Sequence, residues 1–268
     1  MNTLLAADEP HPVTVLNASG RSLFLIVADH AGNRVPRALH DLGVSEAERQ
    51  RHIGWDIGIA GVCRAMADAL DATLIQQNYS RLVIDCNRPP VSATSMPEIS
   101  ELTPVPGNIG LSDADRQARI QSIFRPYHDA IEAELERRKQ AQRPAALIAM
   151  HSFTPVYKGV TRPWQAGVLY NRDPRFAHLL MALLKGEAGL TVGDNEPYSV
   201  TDDSDYTIPV HGERRGLHHT AVEIRQDLIA DEKGQQMWGA IMARLLPIAY
   251  AQLLEADARK ASAGRSGP

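Results

Sequence analysis

Cysteine is nearly absent from this 268-residue chain: the two that occur, Cys63 and Cys86, stand 23 residues apart. That number and spacing exclude a disulfide framework and a paired-thiolate metal site, leaving two ordinary buried thiols. An excess of one sign of charge is also missing. The formal net charge is -4, with acidic and basic residues mixed along the chain, so no basic stripe exists to neutralise a phosphate backbone and nucleic-acid binding is disfavoured. No apolar run approaches the roughly 18 residues that span a bilayer. Met1 to Pro10 lacks the basic region and apolar stretch of a signal peptide. The expectation is a cytoplasmic protein without a membrane partner. No internal repeat or low-complexity linker stands out, and nothing specifies an oligomeric state.

What is present is the composition of an ordinary globular chain, 44% apolar and 22% charged, enough to bury a sizeable core. This length lies at the upper end of what one core serves, so a single domain over 1–268 is expected, with frayed tails at about 1–12 and 258–268. Short β-branched runs alternate with segments of helical period, the pattern of a mostly parallel sheet covered by helices. The strand-like runs are Leu23 to Ala28, Thr73 to Gln76, Leu82 to Ile84, Ala145 to Ala149, Ala166 to Leu169 and Thr220 to Ile224. Helical period is clearest after Ser112, an N-cap with Asp115 three residues on, where Ile120, Ile123, Tyr127, Ile131 and Leu135 make one stripe. Gly58 to Leu70, Arg175 to Lys185 and Gln236 to Leu254 read as further helices, the last interrupted by Pro247. Pro89 to Leu111 and Asp194 to Gly216 read as long irregular loops, which in compact domains are usually functional.

Polar groups gather at or just past the ends of the apolar runs: Asp29 with His30, Asp85 with Asn87 and Arg88, His151 with Ser152, Glu223 with Arg225. In open α/β sheets the ligand crevice lies at the C-terminal strand edge, so groups distant in sequence meet there. A lone histidine beside a strand is most often structural; four such groups together weaken that reading. Two imidazoles and a carboxylate are what a catalytic zinc site needs, which makes His30 and His151 metal-ligand candidates. Glu223, in an apolar run where an unpaired carboxylate is costly, suits a general base, or a buried ion pair with Arg225. The planar forks of Arg81 and Arg88 suit an acidic substrate. The basic patch His211, Arg214, Arg215, His218 and His219 reads either as a solvated loop or as a lid whose Arg214 or Arg215 grips a second substrate carboxylate. No Gly-x-Ser-x-Gly elbow, phosphate loop or dinucleotide fingerprint competes with this.

The strings Ala28-Asp29-His30-Ala31-Gly32-Asn33, Trp55-Asp56-Ile57-Gly58, Ser80 through Pro89, His151-Ser152-Phe153 and Glu223 through Leu228 resemble the successive motifs of the N-formylglutamate amidohydrolase family. The resemblance runs from about Leu23 to Ile229 and extends to the wider zinc carboxypeptidase and aspartoacylase group. It implies a carboxypeptidase-like (phosphorylase/hydrolase-like) three-layer α/β sandwich: one domain, a central mostly parallel mixed sheet, and helices on both faces. It also implies one zinc ion on His30 and His151, Asn87 with Arg88 on the substrate carboxylate, Arg81 polarising the scissile carbonyl and Glu223 as base. Arg225 and Arg215 join as candidate substrate contacts. The wider group carries a Glu three residues after the first histidine, where this chain has Asn33. Either Asn33 coordinates weakly, or a carboxylate elsewhere, with Asp56 the choice, replaces it, or no zinc is held; Asp56 as a simple helix cap is the competing reading. The expected substrate is a small N-acylated acidic amino acid such as N-formyl-L-glutamate, a deformylase step of histidine degradation. The alternatives are a carboxypeptidase-like peptidase or another N-acyl amino acid deacylase, and a metal-free protein binding an anionic metabolite.

Overall fold

A computed structural model describes residues 4–263. Its strands are β1 (Val13–Leu16), β2 (Phe24–Ala28), β3 (Thr73–Gln77), β4 (Ile99–Ser100), β5 (Thr103–Pro104), β6 (Ala146–Phe153), β7 (Val156–Tyr157), β8 (Val160–Thr161), β9 (Ala166–Leu169), β10 (Val192–Asp194) and β11 (His218–Arg225). Its helices are α1 (Glu46–Arg49), α2 (Ile59–Leu70), α3 (Asp113–Arg119), α4 (Arg125–Gln140), α5 (Arg175–Lys185) and α6 (Glu232–Ala263). Seven strands form the central sheet in the order β1-β3-β2-β6-β11-β9-β10. The pairs β3/β2, β2/β6, β6/β11 and β10/β9 are parallel, while β1 and β9 run against their neighbours β3 and β11.

β2 and β6 are buried along their whole length because both faces of the sheet are covered, which explains their unbroken apolar character. Side chains alternate between two cores. Ile26, Ala28, Ile148, Met150, Val222 and Ile224 pack toward α2, α5 and α6. Leu25, Val27, Leu147, Ala149 and Ala221 pack toward Tyr127, Ile131 and Leu135 of α4 and the loops above it. The outcome is the expected single α/β unit with helices on both faces. α6 is long enough, and over its most apolar 18-residue window within Glu232–Lys260 apolar enough (mean hydropathy 1.3), to cross a membrane. Its stripe Trp238, Met242, Leu245, Leu246, Ala249 and Leu253 is nevertheless spent in the core, and the helix continues past Pro247 as one element.

Ser112 caps α3 through a reciprocal capping box with Asp115, as the sequence predicts. The helix then widens into the π turn Ile120–Phe124 just before Pro126, which has no N–H to give, and Gln77 Nε2 donates to the Ile123 carbonyl at 3.3 Å. Leu82 to Ile84 is not a strand. All three residues are buried, but the Leu82 and Val83 carbonyls are taken by the side chains of Asn108 (2.9 Å) and Arg119 (2.9 Å) instead of a neighbouring strand. β1 and β10, short and at the sheet edges, carry too little pattern to be predicted. Residues 4–12 are not frayed: Leu4 is buried, Tyr79 Oη donates to the Pro10 carbonyl (2.9 Å) and Asn78 Nδ2 to that of His11 (2.9 Å). α6 continues to Ala263, and the rest of the expected loose ends, 1–3 and 264–268, lies outside the described residues.

Two histidines tie α4 to the site-forming loops. His128 Nε2 lies 2.8 Å from the Cys86 carbonyl and must donate to it, so Nδ1 accepts from His211 Nε2–H at 2.9 Å and both rings are neutral. Burial pushes His128 down to about 4 and, together with repulsion from His128, pushes His211 down to about 3. Between about 6.5 and 4 the unfolded chain therefore binds protons that the folded chain refuses, so stability is full above that window and falls as pH drops through it. The urea midpoint measured from pH 7 to pH 4.5 is expected to fall with this slope, and His211→Phe, which removes one of the two groups, to show a shallower one.

Candidate active site

β2, β3, β6 and β11 point the same way, and at their common C-terminal edge lies a cavity of about 600 Å³. Asp29 and His30 follow β2 directly. His151 and Glu223 sit opposite each other in register on the paired strands β6 and β11. Asp56 occupies the turn leading into α2, its backbone N–H donating to the His30 carbonyl at 2.9 Å. Two residues on, Gly58 has φ +82° and approaches Ile229 so closely that a Cβ would lie 2.1 Å from its carbonyl oxygen, which accounts for glycine in that motif. Asp85 ends the buried Leu82 to Ile84 turn.

The two imidazoles are 5.2 Å apart between ring centroids, and both turn Nδ1 toward one oxygen, Asp56 Oδ2, at 3.4 Å from His30 and 3.0 Å from His151. Their other nitrogens each face a separate carboxylate, hydrogen-bonded in the case of His30 and within ion-pair distance in that of His151. His30 Nε2 lies 2.6 Å from Asp85 Oδ1, and His151 Nε2 lies 3.2 Å from Asp29 Oδ2. Asp29 is steadied in turn by the Thr207 hydroxyl at 2.7 Å, and Asp85 by Arg81, whose Nη2 reaches Asp85 Oδ2 at 2.7 Å while Nη1 lies 3.4 Å from Asp56 Oδ1. A carboxylate behind a histidine fixes its tautomer and orientation, an arrangement typical of metal-ligating imidazoles. His30, Asp56 and His151 offer three ligand atoms within 4.8 Å of one another, all buried, and His30 Nδ1 makes no hydrogen bond in the protein. This donor set, two imidazoles and one carboxylate oxygen, fits a catalytic zinc ion with one open position.

The electrostatics are those of a site rich in negative charge. Burial works against ionising Asp29, but His151, His30 and Thr207 outweigh it and hold the carboxyl at about 2. Asp56 and Asp85 are likewise held below the usual carboxylate range against burial, Asp56 by the two imidazoles and Asp85 first by Arg81 and then by His30. His30 and His151 are pushed up by these carboxylates despite burial that opposes their charge. Glu223 differs. Burial, joined by repulsion from Asp56, raises its carboxyl to about 7 against the pull of His151 and Arg81, and its Oε2 has no hydrogen-bond partner in the protein.

Of the residues singled out in the sequence, His30, His151, Asp56, Glu223, Arg81 and Arg88 all line this cavity. Arg88 gives Nη1 to the Ser204 carbonyl, and its Nε stays 3.9 Å from Asp85. Asn33 does not join them: its amide donates to the Arg49 carbonyl at 2.8 Å, because the chain turns away after His30. Asn87 lines the cavity, yet its side chain is used up on the 201–207 loop, donating to Asp205 (2.9 Å) and accepting from the Tyr206 and Thr207 backbone N–H groups (3.1 Å each). Arg225 turns to Asp227 at 2.8 Å and is not part of the lining. Arg215 binds Glu132 at 2.8 Å and lines a separate cavity of about 550 Å³ with Arg138, Arg143 and Arg214, so the 214–215 segment is no lid over the site. Sequence reasoning grouped Asp85 with the polar strand-end residues without seeing it as the brace of His30, a role signalled only by its place four residues after Arg81.

The comparisons with known proteins bear on this geometry. The model of the N-formylglutamate amidohydrolase family matches residues 22–230. An N-formylglutamate deformylase of Pseudomonas putida is 32% identical over 143 residues, 50% of this chain and 52% of that protein, so the match spans about half the relative's length. The crystal structure of a gene product from Agrobacterium tumefaciens superposes with a TM-score of 0.90 at 36% identity, over 93% of this chain and 99% of the other. An N-formylglutamate amidohydrolase from Ralstonia eutropha shares the fold, with a TM-score of 0.66 at 22% identity over 90% of this chain and 98% of the other. With five predicted motifs meeting in one cavity and the family match spanning most of its length, this chain belongs to the N-formylglutamate amidohydrolase family.

Proposed function

We propose that the protein hydrolyses the amide bond of a small N-acylated acidic amino acid such as N-formyl-L-glutamate, and that it does so with one zinc ion. The observation that carries this reading is the convergence of His30 Nδ1, His151 Nδ1 and Asp56 Oδ2, with a carboxylate behind each imidazole, hydrogen-bonded to His30 and 3.2 Å from His151. His30, Asp56 and His151 would hold the ion, which when bound supplies Lewis acidity and lowers the pKa of water. Asn33, the feature that favoured a metal-free binding protein, lies outside the site.

The chain's own groups perform the remaining work. Glu223, with a carboxyl raised to about 7 and a free Oε2, is poised to take a proton from the attacking water near neutral pH and to return it to the leaving nitrogen. The water oxygen bonds to the acyl carbon, the C–N bond breaks, and the proton held by Glu223 converts the departing nitrogen to a free amine; a formyl substrate gives formate and glutamate. Arg81, fixed by Asp85 and Asp56, presents its guanidinium to the cavity, where it stabilises charge developing on the carbonyl oxygen. Arg88 keeps Nη2 free of protein partners and is placed to bind a substrate carboxylate. The cavity of about 600 Å³ matches a small metabolite.

Three outcomes test the reading. Glu223→Gln is expected to retain zinc but lose turnover by about 10²-fold or more; near-normal turnover removes Glu223 from the role of base. Asp85→Asn, which takes the brace from His30, should weaken zinc retention roughly 10- to 100-fold in a chelator competition, whereas His151→Ala should abolish both zinc binding and activity. Arg88→Ala should raise KM for acidic substrates far more than for neutral analogues, and equal effects on the two would count against a carboxylate contact.

A further inference from the structure

Beside the reaction centre lies a guanidinium that the proposed mechanism does not use. Arg162 follows the β7–β8 hairpin, which its backbone N–H helps close on the Pro155 carbonyl at 2.9 Å, and it is 8% exposed. Among the described residues no carboxylate lies within ion-pair distance of it, although a buried unpaired charge is among the costlier things a fold can hold. Its central carbon lies 4.7 Å from the centre of the Tyr157 ring, 4.8 Å from Tyr198 and 5.8 Å from Phe153. Cation–π attraction offsets part of the desolvation. Along its edge only Nη1 is engaged, with Tyr198 Oη at 2.9 Å and the Thr154 carbonyl at 3.5 Å. Nε and Nη2 have neither a hydrogen-bond acceptor nor complete enclosure. Arg119, also buried without an ion-pair partner among the described residues, engages both its terminal nitrogens, with two carbonyls and Asn108, and only its Nε lacks a partner.

Arg162 does not itself line the active-site cavity; it stands behind residues that form its wall. Phe153, Thr154, Tyr157 and Tyr198 all line it, and the Tyr198 hydroxyl is close enough to Glu223, Arg81 and Arg162 to feel the charge of each. A planar fork with one edge free, held rigid by rings, is suited to bidentate capture of a carboxylate.

We propose that Arg162 anchors a second carboxylate of the substrate, the first being met by Arg88, so that the site selects N-acyl derivatives of dicarboxylic amino acids over those with amide or apolar side chains. This rests on the amidohydrolase reading above, and it moves to Arg162 the role that the sequence suggested for Arg214 or Arg215. The substrate carboxylate supplies the counter-charge that the protein withholds, so affinity for the dianion includes the relief of an unpaired cation.

The test compares N-formyl-L-glutamate with N-formyl-L-glutamine in the zinc-loaded wild type, Arg162→Met and Arg162→Lys. It adds calorimetric binding of L-glutamate and L-glutamine to the same proteins. Arg162→Met, which keeps a long side chain among the rings, is expected to lower kcat/KM for the glutamate derivative about 30-fold or more, mainly through KM, and to lose far less on the glutamine derivative. Arg162→Lys should recover part of the preference. Calorimetry should show the same loss for L-glutamate alone. Equal losses on both compounds, or a preference that survives Arg162→Met, overturns the proposal. If the wild type hydrolyses neither compound, the amidohydrolase reading fails, while the glutamate-over-glutamine binding preference and its loss in Arg162→Met, or its persistence, still decides the role of Arg162.

Discussion

The structure depends on how a small, dry volume balances its charge. Asp29, Asp56 and Asp85 are all buried and all held ionised, against Arg81 and, 3.9 Å from Asp85, Arg88. At interior dielectric such an imbalance is severe, and it is why both imidazoles are pushed toward their protonated forms. The three carboxylates outnumber the two guanidinium groups, and protonated imidazole offsets the excess; the proposed cation between neutral imidazoles would offset it likewise. Asp85 and Asp29 stand at the outer nitrogens, and the inner ones face each other across Asp56. The electrostatics and the ligand geometry thus both support the proposed ion.

The sheet makes that arrangement cheap to hold. Parallel in-register pairing of β6 with β11 sets His151 and Glu223 side by side without any loop having to carry them. On the other flank of β11, Gly167 of β9 faces Glu223, and the Glu196 carbonyl packs so tightly there that a Cβ on Gly167 would lie 1.8 Å from it. The same enclosure that shields Glu223 from water lifts its carboxyl to about 7, so packing and reactivity have one cause. The loops are then fastened to the chemistry: Thr207 to Asp29, Asn87 to the 201–207 segment, and the Lys158 N–H to Glu101 across the cavity mouth at 3.2 Å.

How much of this was legible in the sequence follows from where each residue sits. His30, His151 and Glu223 stand at the ends of apolar runs whose period announces a buried strand, and strand direction alone brings them to one edge. Asp56 needed the resemblance to be chosen, since a carboxylate before a helix reads equally as a cap; Gly58 takes the cap position instead. The Leu82 to Ile84 run looked like a strand because burial, which hydrophobicity reports, does not say who accepts the backbone hydrogen bonds, and Asn108 and Arg119 are too far along the chain to signal that they do. Arg215 was misplaced for a related reason. Nearness in sequence to β11 implied nearness to Glu223, but β11 runs toward the site, so residues before it lie at the opposite edge of the sheet.

Arg162 marks the boundary between what such reading reaches and what it does not. The groups proposed to perform the chemistry are carried by strands and tight turns, whose period and direction are written locally. The groups that sense the substrate's far end are carried by the β7–β8 hairpin and the loop holding Tyr198, and their meeting is a matter of tertiary placement. What finds them in a structure is an unmet physical demand: a guanidinium taken out of water, faced by rings, with no anion among the described residues in reach. Such a demand says more about a ligand than a tally of polar lining residues does, because the missing partner must bring the opposite charge and a matching planar edge.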